Sequence, residues 1–109
     1  MNLIIEYSDN FLKEAKPLSK KFKLLKSDLR TAVDEIESSK DFGVHLGFNL
    51  FKKRVKNSSI PTGKSGGFRI IICQQLEEKI VLISIFSKTD KENLSDDELS
   101  MALKKFLEQ

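Results

Sequence analysis

Apolar side chains recur along the first third of the chain in steps of four and three. From Phe11 they fall on Ala15, Leu18, Phe22, Leu25, Leu29, Ala32 and Ile36, an unbroken stripe at helical spacing. Read as one rod, residues 11–36 would extend about 39 Å at 1.5 Å per residue. A domain of this size has a radius of gyration of only ~13 Å, so a single rod would overhang it. Pro17 also removes an interior backbone hydrogen bond. The stripe therefore reads as a helical hairpin turning near Phe22 to Leu24, with Ser27 close to the second start. Ser8-Asp9 supplies an N-cap signal for the first helix, and Asn2 to Tyr7 before it is a short β-type segment.

After Lys40-Asp41-Phe42-Gly43 the period changes from helical to two. Leu46 to Lys56 reads as one strand, with Phe51, Lys53 and Val55 on one side and Leu50, Lys52, Arg54 and Lys56 on the other. Asn57 to Gly67 holds three of the five glycines and a proline, and reads as a loop. Phe68 to Gln75 and Lys79 to Phe86 are β-branched, mostly apolar strands joined tightly at Leu76-Glu77-Glu78. Their continuous apolarity predicts a sheet covered on both faces at its centre. Ser95-Asp96-Asp97-Glu98 is a capping-box pattern opening a last helix, Leu99 to Leu107. The expected architecture is α+β: an N-terminal strand, a helical hairpin, a three-stranded antiparallel meander and a C-terminal helix.

Composition narrows the function classes. A chain of 109 residues suits one domain, 1–109, and leaves no room for a second core. One Cys and one His exclude an internal disulfide framework and a structural zinc site. No apolar run approaches the ~20 residues that span a bilayer, and the first residues do not read as a signal peptide. A cytoplasmic protein without metal or cofactor is expected.

The net charge of +3 is modest but unevenly spread. Residues 42–76 hold six bases (Lys52, Lys53, Arg54, Lys56, Lys64, Arg69) and no acid. Residues 11–30 hold seven bases against Glu14 and Asp28, as a solvated helical surface would. Residues 90–109 reverse the sign, with three bases against six acids. An acid-free basic stretch in strand-type sequence is the footprint of a polyanion site. Gly63-Lys64-Ser65 resembles the end of a phosphate-binding P-loop, but Ser58 stands where that motif needs glycine, and a strand follows where it needs a helix. Cys73 lies in an apolar strand, as a buried thiol would. His45 has no partner pattern for catalysis. In an antiparallel sheet, Lys52, Arg54 and Lys56 share a face with Arg69, the Lys64 loop, and Lys88 and Lys91 after the last strand. Mutual repulsion opposes such a grouping unless an anion binds there.

The segment Gly63-Lys64-Ser65-Gly66-Gly67-Phe68-Arg69 resembles the "GKSGG-aromatic-R" signature of the RelE/ParE toxin superfamily, in its HigB-like branch. Further landmarks follow in order: Lys13 to Phe22, Leu25 to Leu29, Leu46-Gly47 to Arg54, Leu82 to Lys88, and Glu92 to Ser95. The resemblance implies the toxin of a type II toxin–antitoxin module, with a cognate antitoxin as partner. It further implies entry into the A site of the ribosome, on its smaller half, and cleavage of the mRNA there. In such cleavage the ribose 2′-OH attacks the neighbouring phosphate. A base, positive charge on the phosphorane and an acid for the 5′-oxygen are required. By that resemblance Lys52 is the candidate base, Arg54 faces the phosphate, Arg69 stabilises the phosphorane and Lys88 serves the leaving group. Lys53, Lys56, Lys64 and Lys91 would contact RNA or ribosome, and Phe68 or Phe86 would stack on a base. Phe86 stands where many relatives have Tyr, so the acid is not a tyrosine. Two other readings remain: the resemblance also admits a ParE-type toxin that inhibits DNA gyrase by protein binding, and the basic residues admit an RNA-binding module without catalysis.

Overall fold

The computed structural model describes residues 3–61 and 66–109. The elements run β1 (Ile4–Tyr7), α1 (Asp9–Lys21), α2 (Leu25–Ser39), β2 (Val44–Gly47), β3 (Leu50–Val55), β4 (Phe68–Leu76), β5 (Lys79–Ser87) and α3 (Asp96–Leu107). One five-stranded sheet has the order β1-β5-β4-β3-β2. β1 pairs parallel to β5, and the other neighbours are antiparallel. This is the expected α+β architecture. Among the described residues no helix is long and apolar enough to cross a membrane.

The helical hairpin turns where the stripe predicts. α1 continues through Pro17 and stops at Phe22, whose extended backbone (φ −117°, ψ 102°) breaks the helix. No side chain caps the start of α2; instead the Leu24 N–H donates to Ser59 Oγ at 3.1 Å. The Asp28 carboxylate accepts from the Ser58 backbone N–H at 2.8 Å and hydroxyl at 2.6 Å. These bonds fasten the hairpin to the turn that follows β3.

One strand expectation is corrected. Residues 46–56 are not a single strand but the end of β2, a turn and β3. Gly47 (φ 108°) and Phe48 (φ 51°) both take left-handed backbone, which reverses the chain within two residues. Asn49 holds the reversal, its side-chain amide donating to the Gln74 carbonyl at 2.8 Å. Gly43 (φ 91°) comes so close to β3 that a Cβ there would stand 2.2 Å from the Lys52 carbonyl oxygen.

Both faces of the sheet centre are covered. Phe11, Leu18, Phe22, Leu25, Ala32 and Ile36 from α1 and α2 bury Val55, Phe68, Ile70, Ile72, Ile80, Leu82 and Ile85. On the other face Ala102, with Leu94, Leu99, Leu103 and Phe106, covers Leu50, Ile71, Cys73, Val81, Ile83 and Phe86. The last helix thus packs back over the sheet. Its N-terminus carries a complete capping box: Ser95 Oγ accepts from the Glu98 N–H and the Glu98 side chain accepts from the Ser95 N–H.

α1 closes the part of the β5 edge that β1 leaves open. Ser8, fully buried, caps α1 by accepting from the Phe11 N–H at 3.0 Å and donates to the Ile83 carbonyl at 3.3 Å. Asn10 donates to the same carbonyl at 3.0 Å. Ser8→Ala removes both the cap and the edge contact, so it should cost about 1–2 kcal/mol in denaturant unfolding. An unchanged midpoint would contradict this role.

Candidate nucleic-acid interface on the sheet

The ladder sets two rows of side chains on the face that α3 partly covers. Arg54 of β3 lies opposite Arg69 of β4, which lies opposite Phe86 of β5. Two residues away, Lys52 lies opposite Ile71, and Ile71 opposite Ser84. Two arginines thus occupy directly paired positions, with Cα atoms about 5 Å apart by strand geometry. Arg54 is exposed, whereas Arg69 is 2% exposed and donates to the Phe68 carbonyl at 3.2 Å. Burial pushes the Arg69 guanidinium below its ordinary range, and the Arg54 cation pushes the same way. An arginine still keeps its proton at neutral pH, so the pair presents fixed, partly desolvated positive charge. That is the kind of group that stabilises a developing phosphorane.

Phe86 reaches this row through a break in alternation. Ile71 pairs with Ser84 but Ile72 pairs with Leu82, which leaves Ile83 as an extra residue in β5. A bulge of this kind shifts which residues face each side. Val81 and Ile83 lie on the α3 face, but beyond the bulge Ile85 turns to the helical hairpin and Phe86 joins the α3 face. Without it Phe86 would point away from Arg69. Ser84, beside the bulge, donates to Glu14 of α1 at 2.7 Å.

The connection after β5 lines the same face. The Lys88 N–H donates to the Gly67 carbonyl at 2.9 Å, tying the end of β5 to the glycine pair before β4. A Cβ on Gly67 would stand 2.0 Å from the Val55 carbonyl oxygen, so the chain can pass there only without a side chain. Lys88 pairs with Glu92 at 3.8 Å, and Lys91 with Glu98 at 2.5 Å. Lys91 and the capping-box bonds hold the Glu98 carboxyl below the usual carboxylate range. Lys52 donates to Asn93 at 2.6 Å.

Not every expected base joins the group. Lys53 is on the opposite face, 4% exposed, with Glu35 at 4.0 Å and Asp41 at 3.9 Å. Phe68 is fully buried against Phe22, with ring centroids 5.4 Å apart, and is closed to a nucleobase. Lys56 borders a cleft with Asp28, Thr31 and Glu35 of α2. Lys64 and the Gly63–Ser65 part of the signature lie outside the described residues. His45 stacks on Phe51 at 4.9 Å and bonds the Phe48 carbonyl at 2.6 Å, which braces the β2–β3 turn. Cys73 is buried, and that burial pushes its thiol up, away from the reactive thiolate. Among the described residues no three His, Cys, Asp or Glu side chains gather as a metal site requires.

The family model described as "RelE toxin of RelE / RelB toxin-antitoxin system" matches residues 10–107. The chain belongs to the RelE toxin family. A solved structure of the E. coli toxin RelE, a double arginine-to-alanine mutant in its free state, superposes with a TM-score of 0.61 at 17% identity. The match covers 96% of this chain and 98% of that one. No curated protein sequence matches the chain.

In this RelE-family toxin, two residues that spacing could not point to join the site. Asn93 meets Lys52 across 41 positions of sequence, and Glu14 meets Ser84 across 70. Neither belongs to the basic stretch, and only the folded chain brings them in.

Like charges directly opposite in a ladder are destabilising. Arg54→Gln should therefore leave the melting temperature of the free protein unchanged or raise it by at most a few °C. A fall of several degrees would contradict the repulsive pairing.

Proposed function

We propose that this toxin is a ribosome-dependent mRNA endoribonuclease that inhibits translation in the cytoplasm. It is read as a HigB-like member of its family. The observation that carries the reading is the Arg54–Arg69–Phe86 row: two cations and an aromatic ring in register on one face, with no carboxylate in the row. The sheet gives the chemistry a rigid floor. Lys52 takes the proton from the ribose 2′-OH, and the 2′-oxygen attacks the adjacent phosphorus. Arg69 and Arg54 carry the charge of the phosphorane, and Lys88 protonates the departing 5′-oxygen. The products are a 2′,3′-cyclic phosphate and a 5′-OH end, with no water, metal or cofactor consumed. Phe86, 4% exposed, is closed to a nucleobase as Phe68 is, and forms instead the apolar wall beside Arg69. Lys91 and the Lys64 loop hold the RNA backbone, and Lys56, beside α2 and apart from the group, meets the ribosomal backbone. A cognate antitoxin, with acidic or amphipathic sequence, covers the basic face in the resting complex.

Arg69→Ala should reduce cleavage of a reporter mRNA on programmed ribosomes at least about a hundredfold, with ribosome binding retained. Wild-type cleavage by the variant would overturn the assignment. Intact mRNA from the wild-type protein, with DNA supercoiling blocked instead, would favour a gyrase-directed toxin.

A further inference from the structure

The segment between β5 and α3 treats its basic neighbours in two ways. Lys21 receives the Asp90 carboxylate at 3.2 Å, Lys88 receives Glu92 at 3.8 Å and Lys91 receives Glu98 at 2.5 Å. Lys52 alone of the four receives a neutral amide oxygen, Asn93 Oδ1 at 2.6 Å. The segment is rich in acids: Asp90, Glu92, Asp96, Asp97 and Glu98 surround that asparagine in sequence. Position 93 is thus a neutral acceptor within an acidic run, placed on the lysine that the mechanism asks to act as a base.

We infer that Asn93 is a positioning residue for Lys52: it fixes the ammonium over the sheet face by a hydrogen bond without supplying a charge that would hold its proton. The inference rests on Lys52 being the base. The physics is direct. A flexible four-carbon stem needs an anchor if its nitrogen is to meet a 2′-OH in attacking geometry. A carboxylate at that distance would provide the anchor but would favour the charged form, which cannot accept a proton. An amide oxygen gives the direction at a smaller penalty, because its dipole favours the ammonium less than a full negative charge does. It can also be released to the incoming hydroxyl, because an ammonium–amide bond is weaker than an ammonium–carboxylate ion pair.

The surroundings of Lys52 agree with that division. Arg54 lies two positions along the same face of β3 and Arg69 lies across the ladder on β4, so two fixed cations share its face. β2 presents Val44 opposite Lys52 and β5 presents Ser84 in the same row, neither charged, and Ser84 holds the Glu14 carboxylate of α1 at 2.7 Å. The cleft around Lys52 is lined by Leu46, Ile71, Leu94, Leu99, Asn93 and Asp96. Asp96 is the one carboxylate in that wall, and among the described residues it forms no ion pair with Lys52. Lys88 and Glu92 pair with each other in the connection before it.

The test compares wild type, Asn93→Ala, Asn93→Asp and Lys52→Met in single-turnover mRNA cleavage on programmed ribosomes across pH. Thermal melting and ribosome binding serve as controls for fold and docking. Asn93→Ala should lower the cleavage rate roughly ten- to a hundredfold with ribosome affinity unchanged. Asn93→Asp should move the rising limb of the pH–rate profile about one unit to alkaline pH, with activity recovered at high pH. In the free toxin, the NMR titration of the Lys52 ε-carbon should move in the same direction in Asn93→Asp, independently of catalysis. An unshifted profile and titration in Asn93→Asp, or wild-type cleavage by Asn93→Ala, would overturn the inference while an inactive Lys52→Met preserves the base assignment. Wild-type cleavage by Lys52→Met would instead remove the base assignment, and the inference with it.

Discussion

Burial of β4 and β5 on both faces is the constraint from which the rest of the molecule follows. Their central residues Ile70 to Cys73 and Ile80 to Ile83 are nearly or completely buried. Each fully buried aliphatic side chain contributes roughly 1.5–3 kcal/mol, so neither face can be left wet along the centre. The helical hairpin closes one face, and α3 with Leu94 closes part of the other. α3 extends for 12 residues, and the β3–β4 end of its face carries Arg54, Arg69 and Lys52 instead of apolar residues. The candidate site is the part of this face where apolar residues give way to cations: Arg54 is exposed and Lys52 half-buried, while Arg69 and Phe86 lie buried beside them.

The bulge in β5 links that constraint to chemistry. A regular strand would have kept Phe86 with the hairpin core and put Ile85 beside Arg69. The extra residue at Ile83 lets both clusters stay apolar while an aromatic ring comes up next to the buried guanidinium. Gly67 serves the same end from the other strand, because its missing side chain lets the chain approach the end of β3 and brings Arg69 into register with Arg54. The site is thus made by backbone irregularities on a rigid sheet, and its long cationic side chains come from two strands and a loop, with the Phe86 ring from a third strand.

Much of this was legible in the sequence. The four-and-three stripe, too long for one rod, gave the hairpin, although α1 runs on through Pro17; the Ser95–Glu98 spacing gave the cap of α3, and the two apolar runs gave β4 and β5. The acid-free basic stretch grouped Lys52, Arg54 and Arg69, which the ladder sets on one face. What was hidden has physical reasons. Gly47-Phe48-Asn49 sits among strand-type residues, so period two ran through a turn that only left-handed backbone at Gly47 and Phe48 discloses. The run from Lys79 to Phe86 is apolar at nearly every position, and so carries no phase from which a bulge could be read. Lys53 counted toward the basic stretch by composition, although its alternation with Phe51 and Val55 already set it on the other side. Phe68 reads as an exposed aromatic in the signature but fills the core against Phe22. Asn93 carries no spacing signal at all, because it lies in the β5–α3 connection and its partner lies on β3, 41 positions away.

The central claim is that the Arg54–Arg69 face cuts RNA by attack of a ribose 2′-OH on the neighbouring phosphate. The most direct measurement maps the mRNA ends left by the purified protein on programmed ribosomes, with and without a single 2′-deoxy nucleotide at the mapped cut. The account predicts a cut within the A-site codon, a 2′,3′-cyclic phosphate on the upstream fragment, and resistance when that 2′-OH is absent. Unhindered cleavage of the 2′-deoxy message, or cleavage of naked RNA at the same rate, would contradict it.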